Sequence, residues 1–291
     1  MKPKDSDITR DLADGLGISV DAGELDRLAA DYGSVLTEWS VNEELDGRGR
    51  LRTTLWTEDL AAAARVGASC LPEPWARLDA ILPPVGMAGL GLAFSTAGAR
   101  KRWYRLAPVG DGTGLSYAAA RLFPDLERPT AELAAICGGR ANCTALGLDL
   151  GDAGLVRATI YFRVGHPAQL HDLFQAHHFP DHPRTTLFLA RVLGLDPQAP
   201  RSWPKVWVAH SVGAHGGVKL YYFARKDPDR PADTALLDTV AAPPVFREVR
   251  RRLASALSPR PEAAPVDVVQ LLALRLDSPA PPSWTLYLAD R

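Results

Sequence analysis

The sequence predicts an α+β protein: a closed, ten-stranded antiparallel β-barrel of five hairpins, surrounded by α-helices in ααββ repeats. Three observations carry this. Two strand-like runs joined by a tight turn recur five times, near 35–57, 88–107, 143–164, 205–226 and 266–290. Their spacing of roughly 55–60 residues is of the length that marks a repeat architecture. Helix-like stretches rich in Ala and Leu lie between them, and most hairpins have one apolar face for those helices to cover. Ten antiparallel strands suffice to close a barrel whose lumen side chains alone do not fill, since eight leave room only for side chains or one small ligand.

Each element has local signals. Asp46-Gly47-Arg48-Gly49 turns the first hairpin, Thr96-Ala97-Gly98 the second and Gly151-Asp152-Ala153-Gly154 the third. His215-Gly216-Gly217 turns the fourth, and the Pro-rich run 278–283 the fifth; such Gly, Asp and Pro clusters between apolar runs are turn chemistry. Helices are expected near 22–32, 58–66, 74–82, 130–138, 166–177, 183–193, 232–241 and 244–257. Pro74, Pro167 and Pro183 suit first-turn positions, and Thr130 with Glu132 opens another helix. No linker or low-complexity run divides the chain, so residues 1–291 read as one domain.

Composition narrows the function classes. The chain has 291 residues, 46% hydrophobic, with a formal net charge of −1, which gives no overall electrostatic pull toward nucleic acid or anionic lipid. Cys70, Cys137 and Cys143 are odd in number and lack CxxC spacing, so they read as reduced thiols, neither a disulfide frame nor a zinc site. The start lacks a signal-peptide apolar run, and no stretch of about 18 apolar residues occurs. The expectation is a cytoplasmic protein, monomeric because a closed barrel leaves no free strand edge.

Function then turns on what lines the lumen. Side chains alternate along a strand, so parity sorts them into two faces. Arg52, Thr54 and Trp56 oppose Leu51, Thr53 and Leu55. Arg102 and Tyr104 share a face in hairpin two. Arg157, Thr159 and Tyr161 oppose Ala158, Ile160 and Phe162, and Lys219, Tyr221 and Phe223 oppose Val218, Leu220 and Tyr222. Arg275 opposes Leu272, Leu274 and Leu276. Each hairpin thus offers one cation, and three offer a tyrosine two or four residues further along the same face. One such pair reads as the solvated edge of a half-buried sheet; three, in a barrel whose outside is coated by helices, read as a lumen lining.

Converging Arg and Lys groups suit a diphosphate, Arg through forked donors and Lys as a point charge. Preorganised donors also stabilise the charge that grows on a departing diphosphate. Tyrosine rings offer negative π faces to the allylic cation left behind and shield it from water. Glu38 shares its strand face with Ser40 and Asn42, where a carboxylate is placed to orient or deprotonate an acceptor. Trp56 and Trp207 are candidates for the pocket wall, whereas Trp39 and Trp103 fall on the outward parity and are expected under helices.

At this point the chain resembles the aromatic prenyltransferases of the ABBA (PT-barrel) family. The resemblance rests on Ala145–Leu150 leading into Arg157–Phe162, on Lys219-Leu-Tyr-Tyr-Phe223 followed by Arg225-Lys-Asp227, and on Arg102-Trp-Tyr104, which looks like the family's Lys-x-Tyr element. Glu38 followed by Arg52 looks like the first-hairpin pair of cyanobactin peptide and fungal indole prenyltransferases. The short length and the Gly-Leu-Asp-Leu opening of hairpin three lean toward the cyanobactin-type branch.

The resemblance implies that Arg52, Arg102, Arg157, Lys219 and Arg275 hold the diphosphate. It makes Tyr104, Tyr161, Tyr221 and Tyr287 the carbocation shield, places Glu38 beside the acceptor, and sets His210 loosely where some members carry a phosphate-side tyrosine. Thr159 departs from the Lys or Asn of many relatives. Thr54 stands where a magnesium-dependent relative has aspartate, so no metal or other cofactor is expected. The implied partners are dimethylallyl or geranyl diphosphate and a nucleophilic side chain of a ribosomal peptide, with a small phenol, naphthalene or indole as the runner-up acceptor. A non-catalytic barrel binding an anionic ligand is the rival from another class; it needs the cations but no aromatic layer.

Other signals carry little. There is no DDxxD-like aspartate pair. Gly89-Leu-Gly91 sits inside a strand with no helix-opening glycine after it. His177, His178 and His182 lack the partners of a metal site, and Arg250–Arg252 reads as a solvated helix face.

Overall fold

The computed structural model describes residues 5–16, 21–32, 36–43, 49–59, 61–62, 65, 87–95, 100–106, 111–151, 154–177, 206–214, 216–223, 248–249, 251–252, 269–276 and 284–289. Ten strands pair throughout in antiparallel fashion. They are β1 (Leu36–Glu43), β2 (Gly49–Thr57), β3 (Met87–Ser95), β4 (Arg100–Leu106), β5 (Cys143–Gly151), β6 (Gly154–Val164), β7 (Val206–Gly213), β8 (Gly217–Tyr222), β9 (Val269–Arg275) and β10 (Trp284–Ala289). Their order is β1-β10-β9-β8-β7-β6-β5-β4-β3-β2, with β1 bonded to both β10 and β2, so the sheet closes into a barrel.

Five helices of eight or more residues are described: α1 (Asp5–Gly15), α2 (Ala22–Tyr32), α3 (Thr113–Leu122), α4 (Glu127–Ile136) and α5 (Pro167–Ala176). α2, α4 and α5 fall on or near their expected spans; α1 and α3 were not anticipated. The starts of α2, α3 and α5 have side-chain acceptors for otherwise orphaned N–H groups. Asp21 accepts from Glu24 N at 2.9 Å and Asp111 from Thr113 N at 2.9 Å. His166 caps α5 by accepting from Ala168 N, while Gln169 reaches back to His166 N. The helices expected near 74–82, 183–193 and 232–241 lie outside the described residues, as do Cys70, His178 and His182 and the turns at 96–98 and 278–283.

The sheet separates two cores. The outer one joins Ile8, Leu12, Leu25, Leu28, Leu115, Leu133, Leu170 and Leu173 of the helices to strand residues such as Val41, Leu55, Leu146, Ile160, Val208, Leu220 and Leu286. Full burial of each such aliphatic side chain is worth about 1.5–3 kcal/mol. Trp39 is completely buried here, and its indole N–H donates to Thr9 Oγ1 of α1 at 2.8 Å. Cys137 and Cys143 are free and buried, and burial raises both thiols, Cys137 to about 12. The second core is the lumen: Trp103, Ala145, Tyr161, Ala209, Tyr221, Phe223, Ala273 and Tyr287, with Trp56 and Trp207 packed against it. No helix among the described residues is long and apolar enough to cross a membrane.

Candidate active site in the barrel lumen

Cross-strand register determines which side chains share the lumen. Ser40 of β1 lies opposite Arg52 of β2, Ala93 of β3 opposite Lys101 of β4, and Lys101 opposite Asp149 of β5. Asp149 in turn faces Arg157 of β6, and Lys219 of β8 faces Arg275 of β9. Directly opposed residues of an antiparallel pair point to the same side of the sheet. The lumen face of β4 is therefore Lys101, Trp103 and Arg105.

This register corrects the expectation for hairpin two. Arg102 is opposite Leu92 and Leu148, and Tyr104 is opposite Leu90 and Leu146, on the outer face. Both are buried there, with the Arg102 guanidinium 5.8 Å from the Tyr104 ring centroid and Tyr104 inside the outer core. Neither reaches the lumen, and Lys101 and Trp103 take their places; the outward placement expected for Trp103 is likewise reversed. His210 also faces outward, opposite Ile160 and Val218, with its ring 6.0 Å from that of His177.

With that shift the hairpins become regular. The second strands of the first four carry a cation and then an aromatic on the lumen face: Arg52 and Trp56, Lys101 and Trp103, Arg157 and Tyr161, Lys219 and Tyr221. Tyr287 supplies the aromatic of β10. The rings form a continuous band, with centroids 6.1 Å apart for Trp56–Trp103, 4.9 Å for Trp103–Tyr161, 5.5 Å for Tyr161–Tyr221 and 6.0 Å for Tyr221–Tyr287. Tilted and edge-on contacts at these separations are the favoured aromatic geometries. Trp207 extends the band, packed on Phe223 at 4.6 Å and Tyr161 at 6.5 Å. Gly91 makes this possible: a Cβ there would stand 3.1 Å from both Trp103 Cβ and Trp56 Cζ3.

Below the band lies a charged cluster centred on Asp149, which the sequence reading did not single out as a site residue. Asp149 Oδ2 accepts from Arg157 Nε at 2.8 Å and from Lys101 Nζ at 3.2 Å, and Arg52 approaches Oδ1 at 3.7 Å. Lys101 Nζ also lies 4.2 Å from the Trp103 ring centroid, a cation–π contact. Burial opposes ionisation of Asp149, but Lys101, Arg52 and Arg157 hold its carboxyl well below the usual carboxylate range.

Burial pushes Lys101 down to about 7, with Asp149 resisting and Arg157 and Arg52 reinforcing the shift. Lys219 falls to about 8 by burial and by repulsion from Arg157, Arg52 and Arg275. The Arg275 guanidinium donates to Gly216 O at 2.7 Å. Burial raises all three tyrosines, Tyr161 and Tyr287 well above the ordinary phenol range, so they stay neutral. Arg52, Lys101 and Arg157 thus converge on Asp149, and Lys219 and Arg275 stand opposite one another nearby, so basic side chains outnumber acidic ones beside the aromatic layer.

Glu38 is buried on the lumen face, opposite Thr54 of β2 and close enough to Tyr287 to raise its phenol. Thr159 and Ser211 hydrogen-bond across β6 and β7 at 2.8 Å, a neutral patch of wall. No group of three His, Cys, Asp or Glu side chains able to hold a metal ion occurs among the described residues.

No family model matches the chain, and no curated protein matches it by sequence. Solved structures do. The chain is similar to 5-dimethylallyltryptophan synthase from Streptomyces coelicolor, with a TM-score of 0.65 and 19% identity over 97% of this chain and 95% of that one. It is similar to 6-dimethylallyltryptophan synthase from Micromonospora olivasterospora, whose structure holds DMASPP and Trp, at TM-score 0.62 and 18% identity over 97% and 94%. AnaPT from Neosartorya fischeri is more distant, at TM-score 0.53 and 14% identity over 87% and 77%. The chain therefore has the fold of the ABBA-type prenyltransferases along nearly its whole length.

Proposed function

We propose that the protein is a prenyltransferase that moves a dimethylallyl or geranyl group from its diphosphate to an electron-rich aromatic ring. The observation that carries this is the pairing of five lumen cations (Arg52, Lys101, Arg157, Lys219, Arg275) with an aromatic band (Trp103, Tyr161, Tyr221, Tyr287) directly beside them. A barrel that only bound an anion would need the first and not the second. The acceptor we assign is an indole, as free tryptophan or as a side chain in a peptide. Support comes from the aromatic walls Trp56, Trp207 and Phe223, and from similar folds whose names state dimethylallyltryptophan synthesis.

In this reading the C–O bond of the donor breaks, and both electrons leave with the diphosphate. The cations stabilise the growing charge, most effectively because they are already oriented and partly desolvated. The allylic cation is held against neutral aromatic faces that exclude water. An acceptor ring carbon then forms the new C–C bond, and the ring proton leaves to a base. Glu38 is the residue we place there. Fixed cations do the work that a magnesium ion does elsewhere, so neither metal nor other cofactor is required, and the protein acts as a monomer.

The test is product formation from dimethylallyl diphosphate with tryptophan or with tryptophan-containing peptides, followed by mass spectrometry with and without EDTA. A product one dimethylallyl group heavier than the acceptor, undiminished by EDTA, is expected. Binding of the donor with no product from any aromatic acceptor would leave only the anion-binding barrel, and loss of product in EDTA would overturn metal independence.

A further inference from the structure

Asp149 is an odd residue to find in a site read as an anion seat, because its charge repels the diphosphate. Its geometry accounts for it. Lys101 has a constrained path to the lumen: it crosses Gly147, where a Cβ would lie 2.8 Å from Lys101 Cε, and then meets Asp149. Arg157 spends only Nε on Asp149. A guanidinium carries five donors in a planar fork, so donors beyond Nε are left for a second acceptor such as a phosphate. Without a counter-charge, Lys101, Arg157 and Arg52 would repel one another in a poorly solvated space.

We propose that Asp149 is the positioning residue of the donor seat, a fixed carboxylate that aims Lys101 and Arg157 into the lumen and stays paired with them when a diphosphate binds. This rests on the prenyl-diphosphate reading above. The charged and titratable groups around Asp149 are Lys101 from β4, Arg157 and Tyr161 from β6, Arg52 from β2 and, further off, Lys219 from β8.

Simple electrostatics and positioning make opposite predictions for Asp149→Asn. Removing a negative charge from an anion site should tighten binding; removing the residue that orients two cations should weaken it. Calorimetric titration with a dimethylallyl thiodiphosphate from pH 6 to 9 decides between them. We expect Asp149→Asn to bind about 10–100-fold more weakly at pH 7, as loss of orienting partners does elsewhere. We also expect the alkaline decline in affinity to begin at lower pH, because Lys101 loses the carboxylate that supports its charge. Equal or tighter binding with an unmoved pH profile would overturn the proposal.

If that variant does not fold, Lys101→Met and Lys101→Met/Asp149→Asn remove the pair stepwise. In that background the further loss from Asp149→Asn, against Lys101→Met alone, should be smaller than 10-fold. A loss as large as the 10–100-fold expected for a lone orienting residue would show that Asp149 does not act through Lys101. Failure of the unaltered protein to bind the analogue at all would refute the prenyl-diphosphate reading itself, a result distinct from either outcome for the variants.

Discussion

Donor binding should draw protons into the protein. In the donor-free lumen Lys101 sits at about 7 and Lys219 at about 8. At pH 8 the first is then about nine-tenths neutral and the second about half neutral. A diphosphate placed among them favours the charged form of both, reversing the desolvation and like-charge repulsion that lowered them. Full protonation would take up about 1.4 protons per donor at pH 8. The donor adds no protons of its own to this balance, since a phosphate ester with a second pKa near 6 is already ionised. The assay is titration calorimetry with the thiodiphosphate in buffers of different ionisation enthalpy, where the slope of observed heat against buffer enthalpy counts protons. Uptake of about one proton or more at pH 8, shrinking toward pH 6, is expected. A zero slope, or release of protons, would refute the assignment of these lysines to the donor.

The same shifts act on stability. Both lysines have folded values below their unfolded ones, so from about pH 7 to 9 the unfolded chain binds more protons at these sites and stability rises with pH, until the raised Cys137 and Cys143 thiols act with the opposite sign. Thermal unfolding without donor should therefore occur at higher temperature at pH 9 than at pH 7, and a Tm that falls over that interval would contradict the burial of these groups. Gly91→Ala brings a methyl to 3.1 Å from both Trp103 and Trp56; such overpacking costs about 1–3 kcal/mol, read by urea unfolding, and an unchanged midpoint would mean that the two indoles do not converge there. Trp39→Phe removes a buried hydrogen bond to Thr9. It should cost about 1–3 kcal/mol while leaving donor affinity unchanged, and an affinity loss would place Trp39 on the wrong face.

The hairpin frame was open to sequence reading because glycines and prolines punctuate it and because alternation in β2, β6 and β8 is strong. Hairpin two was not. β4 carries Arg100, Lys101, Arg102 and Arg105 with Trp103 and Tyr104, so cations and aromatics occupy both parities and alternation has nothing to act on. Only pairing with β5, whose Leu146 and Leu148 face outward, resolves it. Asp149 was hidden for a related reason: a lone acid between Leu148 and Leu150 reads as a turn approach. Folding the Gly151–Gly154 turn back in strict register sets it opposite Val156, and only the bulge between Asp149 and Leu150 brings it opposite Arg157. His210 shares its parity with Val208 and Val212, which marks it as outward; loose alignment to a family position obscured that. α3 was missed because Gly110, Gly112 and Gly114 crowd its start and its Ala run, 118–120, is short.

The most direct measurement is a crystal structure of the protein with dimethylallyl thiodiphosphate bound. The account predicts the diphosphate inside the barrel, within hydrogen-bonding distance of Arg52, Lys101, Arg157, Lys219 and Arg275, with Lys101 and Arg157 still on Asp149 and the isoprenyl tail against Tyr161, Tyr221 and Tyr287. An analogue bound outside the lumen, or one whose diphosphate lies at the aromatic band away from these cations, would contradict it.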